Sequence, residues 1–140
     1  MALHAFAYYS QAVPGLSADN VYDMVREAAA HNRIAGVTGV LLSDTQRFLQ
    51  YIEGPEDGVA LTVQRILGSK LHTEIVELAR GQVGTRRFPY WSMRWIPVDE
   101  SELEAAAFSE WGGLAHRENS PTRIPTGVDR IQTLVQPYVN

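Results

Sequence analysis

Apolar and polar positions alternate from Leu3 to Ser10, with His4, Phe6, Tyr8 and Ser10 on one face and Leu3, Ala5, Ala7 and Tyr9 on the other. This predicts a strand, ended by Pro14-Gly15. The period then lengthens. Ser17 is a predicted N-cap, Leu16 before it can staple against Val21, and Val21, Met24, Val25, Ala28 and Asn32 fall on one helical face. The mostly apolar run Gly36 to Ser43 and the segment Arg47 to Glu53 read as two strands of a hairpin, joined by the turn-like Asp44-Thr45. Past Gly54-Pro55, helical spacing returns at Val59, Val63, Ile66 and Leu67 and stops at Gly68-Ser69. Thr73 to Val83 and the aromatic-rich Phe88 to Ile96 read as two further strands.

The resulting order, βαββαββ, is the split βαβ arrangement of a ferredoxin-like fold with one strand added. The predicted class is therefore α+β: a five-stranded mixed sheet with both helices on one face. After Pro97 the character changes. Asp99 with Glu102 predicts a capped helix to about Trp111, Gly112 to Pro125 reads as irregular, and a last short helix carries Ile131, Leu134 and Val135. The expected division is a domain over residues 1–97 and a C-terminal helical extension over 98–140, serving oligomerisation or output.

Composition narrows the function classes. A chain of 140 residues, 45% hydrophobic and 20% charged, is expected to form one hydrophobic core. The absence of cysteine removes disulfides and thiolate metal sites, and His4, His72 and His116 have no companions at metal-site spacing. No apolar stretch approaches the length of a membrane span and no secretory leader pattern stands at the N-terminus, so the expected setting is cytoplasmic. A net charge of −4, with Arg86-Arg87 the sole basic pair, argues against nucleic-acid binding.

The informative residues are polar side chains on faces that ought to be buried. An unsatisfied buried amide costs about 1–3 kcal/mol, so each needs a partner. Strand alternation puts Gln50 with Phe48 and Ile52, beneath the helices; Asn32 continues the apolar helix face; Tyr8 shares its face with Phe6. Mutual hydrogen bonding would satisfy any one of them alone. Three converging on one layer suit a planar heterocycle with alternating carbonyl and ring nitrogen groups, since Gln and Asn carry donor and acceptor together. Trp91 and Met93, two apart on the last predicted strand, are expected to share a face beside the same pocket, although ordinary core packing also accounts for them.

These segments resemble the BLUF family, sensors of blue light that use flavin. The resemblance covers roughly residues 3 to 96 and rests on Tyr8-Tyr9-Ser10, His31 to Gly39, Phe48 to Gly54 and Arg87 to Met93, in order and in register. It implies that FAD stands between the two helices with its ring meeting Tyr8, Asn32 and Gln50. Asn32 would bond the ring edge, and Gln50 would bridge Tyr8 to the ring. His31 occupies a family position, Met24, Ala28, Phe48 and Ile66 would wall the ring, and Arg65, Lys70 and His72 would lie where the phosphates exit. The implied photocycle has Tyr8 giving an electron and a proton, Gln50 rearranging its hydrogen bonds, and altered contacts at Trp91 and Met93 carrying the change outward.

Two departures bear on the cofactor. Leu71 stands where many members have Arg, and Ser69 where Asp is common, so one phosphate-facing charge is missing and Arg65 or Lys70 has to compensate. The segment after Ile96 is too short for an attached output domain, which implies a separate effector protein and association of like chains through the C-terminal helices. Two other readings compete. A ferredoxin-like hydrolase of the acylphosphatase kind needs an Arg cradle in the first loop, and Ser10 to Leu16 contains none; the other is a flavin-free interaction module on the same sheet.

Overall fold

The computed structural model describes residues 2–111 and 126–139. Five strands form one sheet in the order β4-β1-β3-β2-β5: β1 (Leu3–Ala12), β2 (Thr38–Ser43), β3 (Arg47–Pro55), β4 (His72–Val83) and β5 (Arg94–Pro97). The pairings are antiparallel except β2 with β5, so the sheet is mixed as expected. Helices α1 (Ala18–Ala35) and α2 (Glu56–Leu67) follow β1 and β3, and α3 (Glu100–Ala107) and α4 (Gly127–Val135) complete the described chain.

Local chemistry explains the helix boundaries. Ser17 and Asn20 form a reciprocal capping box at the start of α1, and Gly36 ends it with φ 76°, a left-handed conformation that glycine adopts without a side-chain penalty. Asp99 and Glu102 form the corresponding box at α3. That helix stops at Ala107, short of the expected Trp111. Phe108 leaves helical geometry, and the buried Trp111 indole donates to the carbonyls of Ala106 and Ala107, closing the last turn instead of extending it. The expected irregular stretch from Gly112 to Pro125 lies outside the described residues.

Strand alternation sorts the core into two layers, one on each sheet face. Phe6, Tyr8, Leu41, Phe48 and Ile52 pack with Val21, Val59 and Val63 of α1 and α2. On the other face Ala5, Ala7, Val40, Leu42, Leu49 and Tyr51 pack with Leu103, Val128, Ile131 and Val135 of α3 and α4. Both sheet faces are thus covered, and β2 and β3 are buried nearly throughout. Gly39 permits close backbone approach, because a Cβ there would collide with the Tyr51 carbonyl on the paired strand.

The last strand is shorter than expected, and the difference matters for the site. Only Arg94–Pro97 pairs with β2; residues 88–93 are not strand. Their main chain is taken by other partners. Phe88 N–H donates to the Glu53 carboxylate at 2.6 Å, Gly39 N–H donates to the Trp91 carbonyl at 3.1 Å, and the Asn32 amide donates to the Ser92 carbonyl at 2.8 Å. Pro89, lacking an N–H, suits this non-ladder path.

Candidate functional site

In the antiparallel register of β1 and β3, Tyr8 is the direct partner of Gln50. Cross-strand partners on one face bring their side chains together, and the Tyr8 hydroxyl donates to Gln50 Oε1 at 2.6 Å. The Gln50 amide nitrogen in turn donates to the Met93 sulfur at 3.5 Å. Each polar end of the carboxamide therefore has one partner, and Tyr8, Gln50 and Met93 are all buried. Burial pushes the Tyr8 phenol well above its ordinary pKa, which keeps its proton in place for donation to Gln50.

These three residues stand at a cavity of about 570 Å³ between α1, α2 and the sheet. Met24, Ala28, Leu41, Phe48 and Ile66 give it apolar walls, and Asn32 lines it from the last turn of α1. Toward solvent the lining becomes polar, with the exposed Asn20, Asp23, Glu27 and Arg65. An apolar slot with a few convergent polar groups is the usual form of a small-molecule site.

Asn32 carries the most pointed signal. It is 1% exposed, its amide nitrogen is spent on the Ser92 carbonyl, and its Oδ1 is buried with no hydrogen-bond partner. A carbonyl oxygen can only accept, so the position calls for a donor from a molecule in the cavity. The edge of a flavin ring presents an N–H between two carbonyls, and that N–H is a donor of the kind Oδ1 lacks. The residues present fit that group.

Of the other expected site residues, Met24, Ala28, Phe48, Arg65, Ile66 and His72 line the cavity. His72 is buried: its Nδ1 lies 2.7 Å from Ser10 Oγ and its Nε2 2.9 Å from the Ile66 carbonyl. The carbonyl can only accept, so Nε2 carries a proton, and the imidazole ties β4 to β1 and α2 with its ring edge-on to Tyr8 at 5.4 Å. Both its nitrogens are engaged with protein, leaving it as wall and brace. Lys70 and His31 are not among the lining residues. His31 Nε2 is buried without a partner, and desolvation, then the nearby Arg65 guanidinium, pull its pKa down.

Trp91 and Met93 do not share a face. Met93 reaches the cavity, whereas Trp91 packs against the core layer on the opposite side of the sheet. The cause is the irregular path of residues 88–93, where strand alternation does not apply.

Several lining residues were not anticipated from sequence. Asn20, Asp23 and Glu27 stand on α1 beside Met24 and Ala28, a helical spacing that identifies the same face. Thr62 lines the cavity while its hydroxyl donates to the Gly58 carbonyl. Ser69 and Leu71 also line it, so the positions without the expected charge lie at the cavity, which Arg65 lines as well. Among the described residues no group of three or more His, Cys, Asp and Glu side chains is arranged to hold a metal ion. No helix among them is long and apolar enough to cross a membrane.

Replacing Asn32 by Ala is expected to remove the orphan acceptor and the bond to Ser92 together. If the oxygen serves a bound ring, affinity for flavin falls by about 1–3 kcal/mol, roughly fivefold to a hundredfold or more in Kd, measurable by quenching of flavin fluorescence. Unchanged affinity would return Asn32 to a purely structural role.

Comparison with known proteins agrees with this geometry. Residues 3–94 match the family described as sensors of blue light using FAD. The photoactivated adenylate cyclase subunit beta of Euglena longa is 27% identical over 106 residues, 76% of this chain but 12% of that protein. The blue light- and temperature-regulated antirepressor of Escherichia coli is 37% identical over 68 residues, 49% of this chain and 17% of that one. This chain therefore spans a small part of these relatives. Among solved structures, the dark state of BlrB aligns over 99% of this chain and 98% of its own, with a TM-score of 0.74 and 25% identity. BlrP1 from Klebsiella pneumoniae, solved with FMN and cyclic diGMP, aligns over 68% of this chain and 26% of its own, with a TM-score of 0.63 and 30% identity.

Proposed function

The chain belongs to the BLUF family of blue-light sensors, and on that premise we propose that its cavity holds FAD and that Tyr8 and Gln50 convert light absorption into a changed hydrogen-bond pattern read by a separate protein. The observation that carries the reading is the continuous chain from Tyr8 through Gln50 to Met93 at the edge of a cavity whose Asn32 acceptor lacks a donor. Bound flavin supplies the blue absorption and an excited state able to take up an electron.

The chain's own residues do the rest. Asn32 orients the ring through Oδ1 while its nitrogen holds Ser92. Tyr8 holds a proton 2.6 Å from Gln50 Oε1 and is the donor of both the electron and the proton. Gln50 exchanges partners, because an amide that rotates or tautomerises presents different donors and acceptors to Tyr8 and Met93. Met24, Phe48 and Ile66 exclude water, and Arg65 is the cation offered to the phosphates. Catalysis on a substrate is not part of this role; the output is a shift between two packings. Residues 98–140 form the output and self-association extension, and relatives named as a photoactivated adenylate cyclase and a blue light-regulated antirepressor indicate the kind of output such a switch controls.

The purified protein is expected to be yellow, to show a red-shifted flavin spectrum under blue light and to revert in darkness. Chromatography of the flavin released on denaturation identifies FAD against shorter flavins. A colourless protein that takes up no added flavin would favour the interaction-module reading.

A further inference from the structure

The segment from Arg86 to Arg94 runs between the cavity and the C-terminal helix, and its two ends are attached differently. At one end Arg87 reaches α4: its Nη2 donates to Asp129 Oδ1 at 2.6 Å and to Gln132 Oε1 at 2.7 Å, and its Nε donates to the same Gln132 oxygen at 3.0 Å. Both Arg87 and Asp129 are largely shielded, 16% and 18% exposed. This end is also fixed to the sheet. The buried Glu53 carboxylate accepts from Phe88 N–H and from the Tyr51 hydroxyl, and the neighbouring Arg86 guanidinium donates to the carbonyls of Gly36 and Glu53 and to the Thr38 hydroxyl.

At the other end the attachment is of another kind. Arg94 follows Met93, the acceptor of the Gln50 amide, and its guanidinium lies 5.2 Å from the Trp91 ring centroid and 5.3 Å from that of Tyr138. Tyr138 belongs to the short 3-10 helix Gln136–Tyr138 that continues α4. Forked, charge-assisted hydrogen bonds shielded from water are strong and directional, whereas a cation–π contact beside solvent is weak and tolerant of sliding.

From this asymmetry we infer that Arg87 is a hinge that holds the start of α4 to the sheet, and that Arg94 is the latch through which a change at Gln50 and Met93 releases or moves Tyr138 and the end of α4. Both are positioning residues, since neither lines the cavity. The inference rests on the blue-light sensor reading and adds to it which end of the helix responds. A displacement at Met93 passes to Arg94 through one peptide bond. It meets the weak contact before the strong one, so the helix pivots about its Asp129 end.

Hydrogen exchange measured by mass spectrometry on the flavin-loaded full chain, dark against continuous blue light, tests this, with the flavin difference spectrum recorded on the same samples. In the wild-type chain, light is expected to change exchange over residues 133–139 and to leave 127–132 nearly unchanged. Arg94→Ala should form the same red-shifted state while exchange at 133–139 becomes the same in dark and light. Tyr138→Leu removes the ring from the other side of the contact and should behave alike, which guards against an effect of Arg94→Ala on β5 itself. Arg87→Gln should raise exchange at 127–132 in darkness and light equally, again with a normal red shift. A wild-type chain that forms the red-shifted state without a light effect at 133–139 overturns the inference, and so does a light effect that survives in both latch variants. A wild-type chain with flavin bound and no red shift overturns the sensor reading and the latch with it.

Discussion

Gln50→Leu is expected to bind flavin, keep its fold and lose the red-shifted state entirely. The side chain lies on the buried face with Phe48 and Ile52, so a leucine of similar volume enters an apolar environment without overpacking. Two partners are stranded: the Tyr8 hydroxyl, which donates to Oε1, and the Met93 sulfur, which accepts from Nε2. The stranded phenol costs about 1–3 kcal/mol, partly offset by removing a buried amide, so thermal unfolding should shift by only a few degrees. Leucine has no donor or acceptor to exchange, and light can then move charge without leaving a different hydrogen-bond pattern behind. Light-minus-dark spectra and a melting curve separate the roles. A wild-type red shift in this variant removes Gln50 from the switch, whereas a large loss of stability with an intact photocycle makes it a structural residue.

Much of this site was legible because strand alternation is a strong constraint. Strand alternation alone puts Tyr8, Phe48 and Gln50 together on the face beneath α1 and α2, since a one-residue slip would send every side chain of β1 and β3 into the opposite core layer. Asn32 was legible as an amide in the apolar stripe of α1, and its orphan oxygen gives that oddity a physical form. What failed to show depends on contacts remote in sequence. The run from Phe88 to Met93 has the aromatic content of a strand, but Glu53, Gly39 and Asn32 claim its backbone from elsewhere, and Trp91 and Met93 part company as a result. His72, expected where the phosphates exit, gives no sequence sign of its brace to β1; only the folded sheet brings Ser10 to its ring. The Arg87 contacts to Asp129 and Gln132 bridge 42 and 45 residues and leave no periodic trace. Lys70 and His31, carried over by position in the family, do not line the cavity.

Tyr8→Phe is expected to abolish the red-shifted state as completely as Gln50→Leu, but by removing the donor. The ring stays: it packs 6.1 Å from Phe6 and edge-on to His72 at 5.4 Å, contacts that phenylalanine keeps. Only the hydroxyl leaves, so Gln50 Oε1 loses its 2.6 Å donor at a cost on the order of 1 kcal/mol. Flavin affinity should remain close to wild type, because walls and Asn32 are untouched. The pH dependence of the wild-type chain supplies a second measurement. Burial raises the Tyr8 pKa, so the phenol stays protonated across about pH 6 to 9, and the yield of red-shifted state should be flat over that window as far as Tyr8 governs it. The sign for stability follows from the same shift. The folded chain holds the proton more tightly than the unfolded one, so the contribution is fully present below the ordinary tyrosine value near 10 and is lost as pH rises through the folded value. Tyr8→Phe should therefore lose less stability than the wild type on going to strongly alkaline pH. A normal red-shifted product in Tyr8→Phe, with flavin bound, assigns the electron to another residue, and Tyr8 then serves only to orient Gln50.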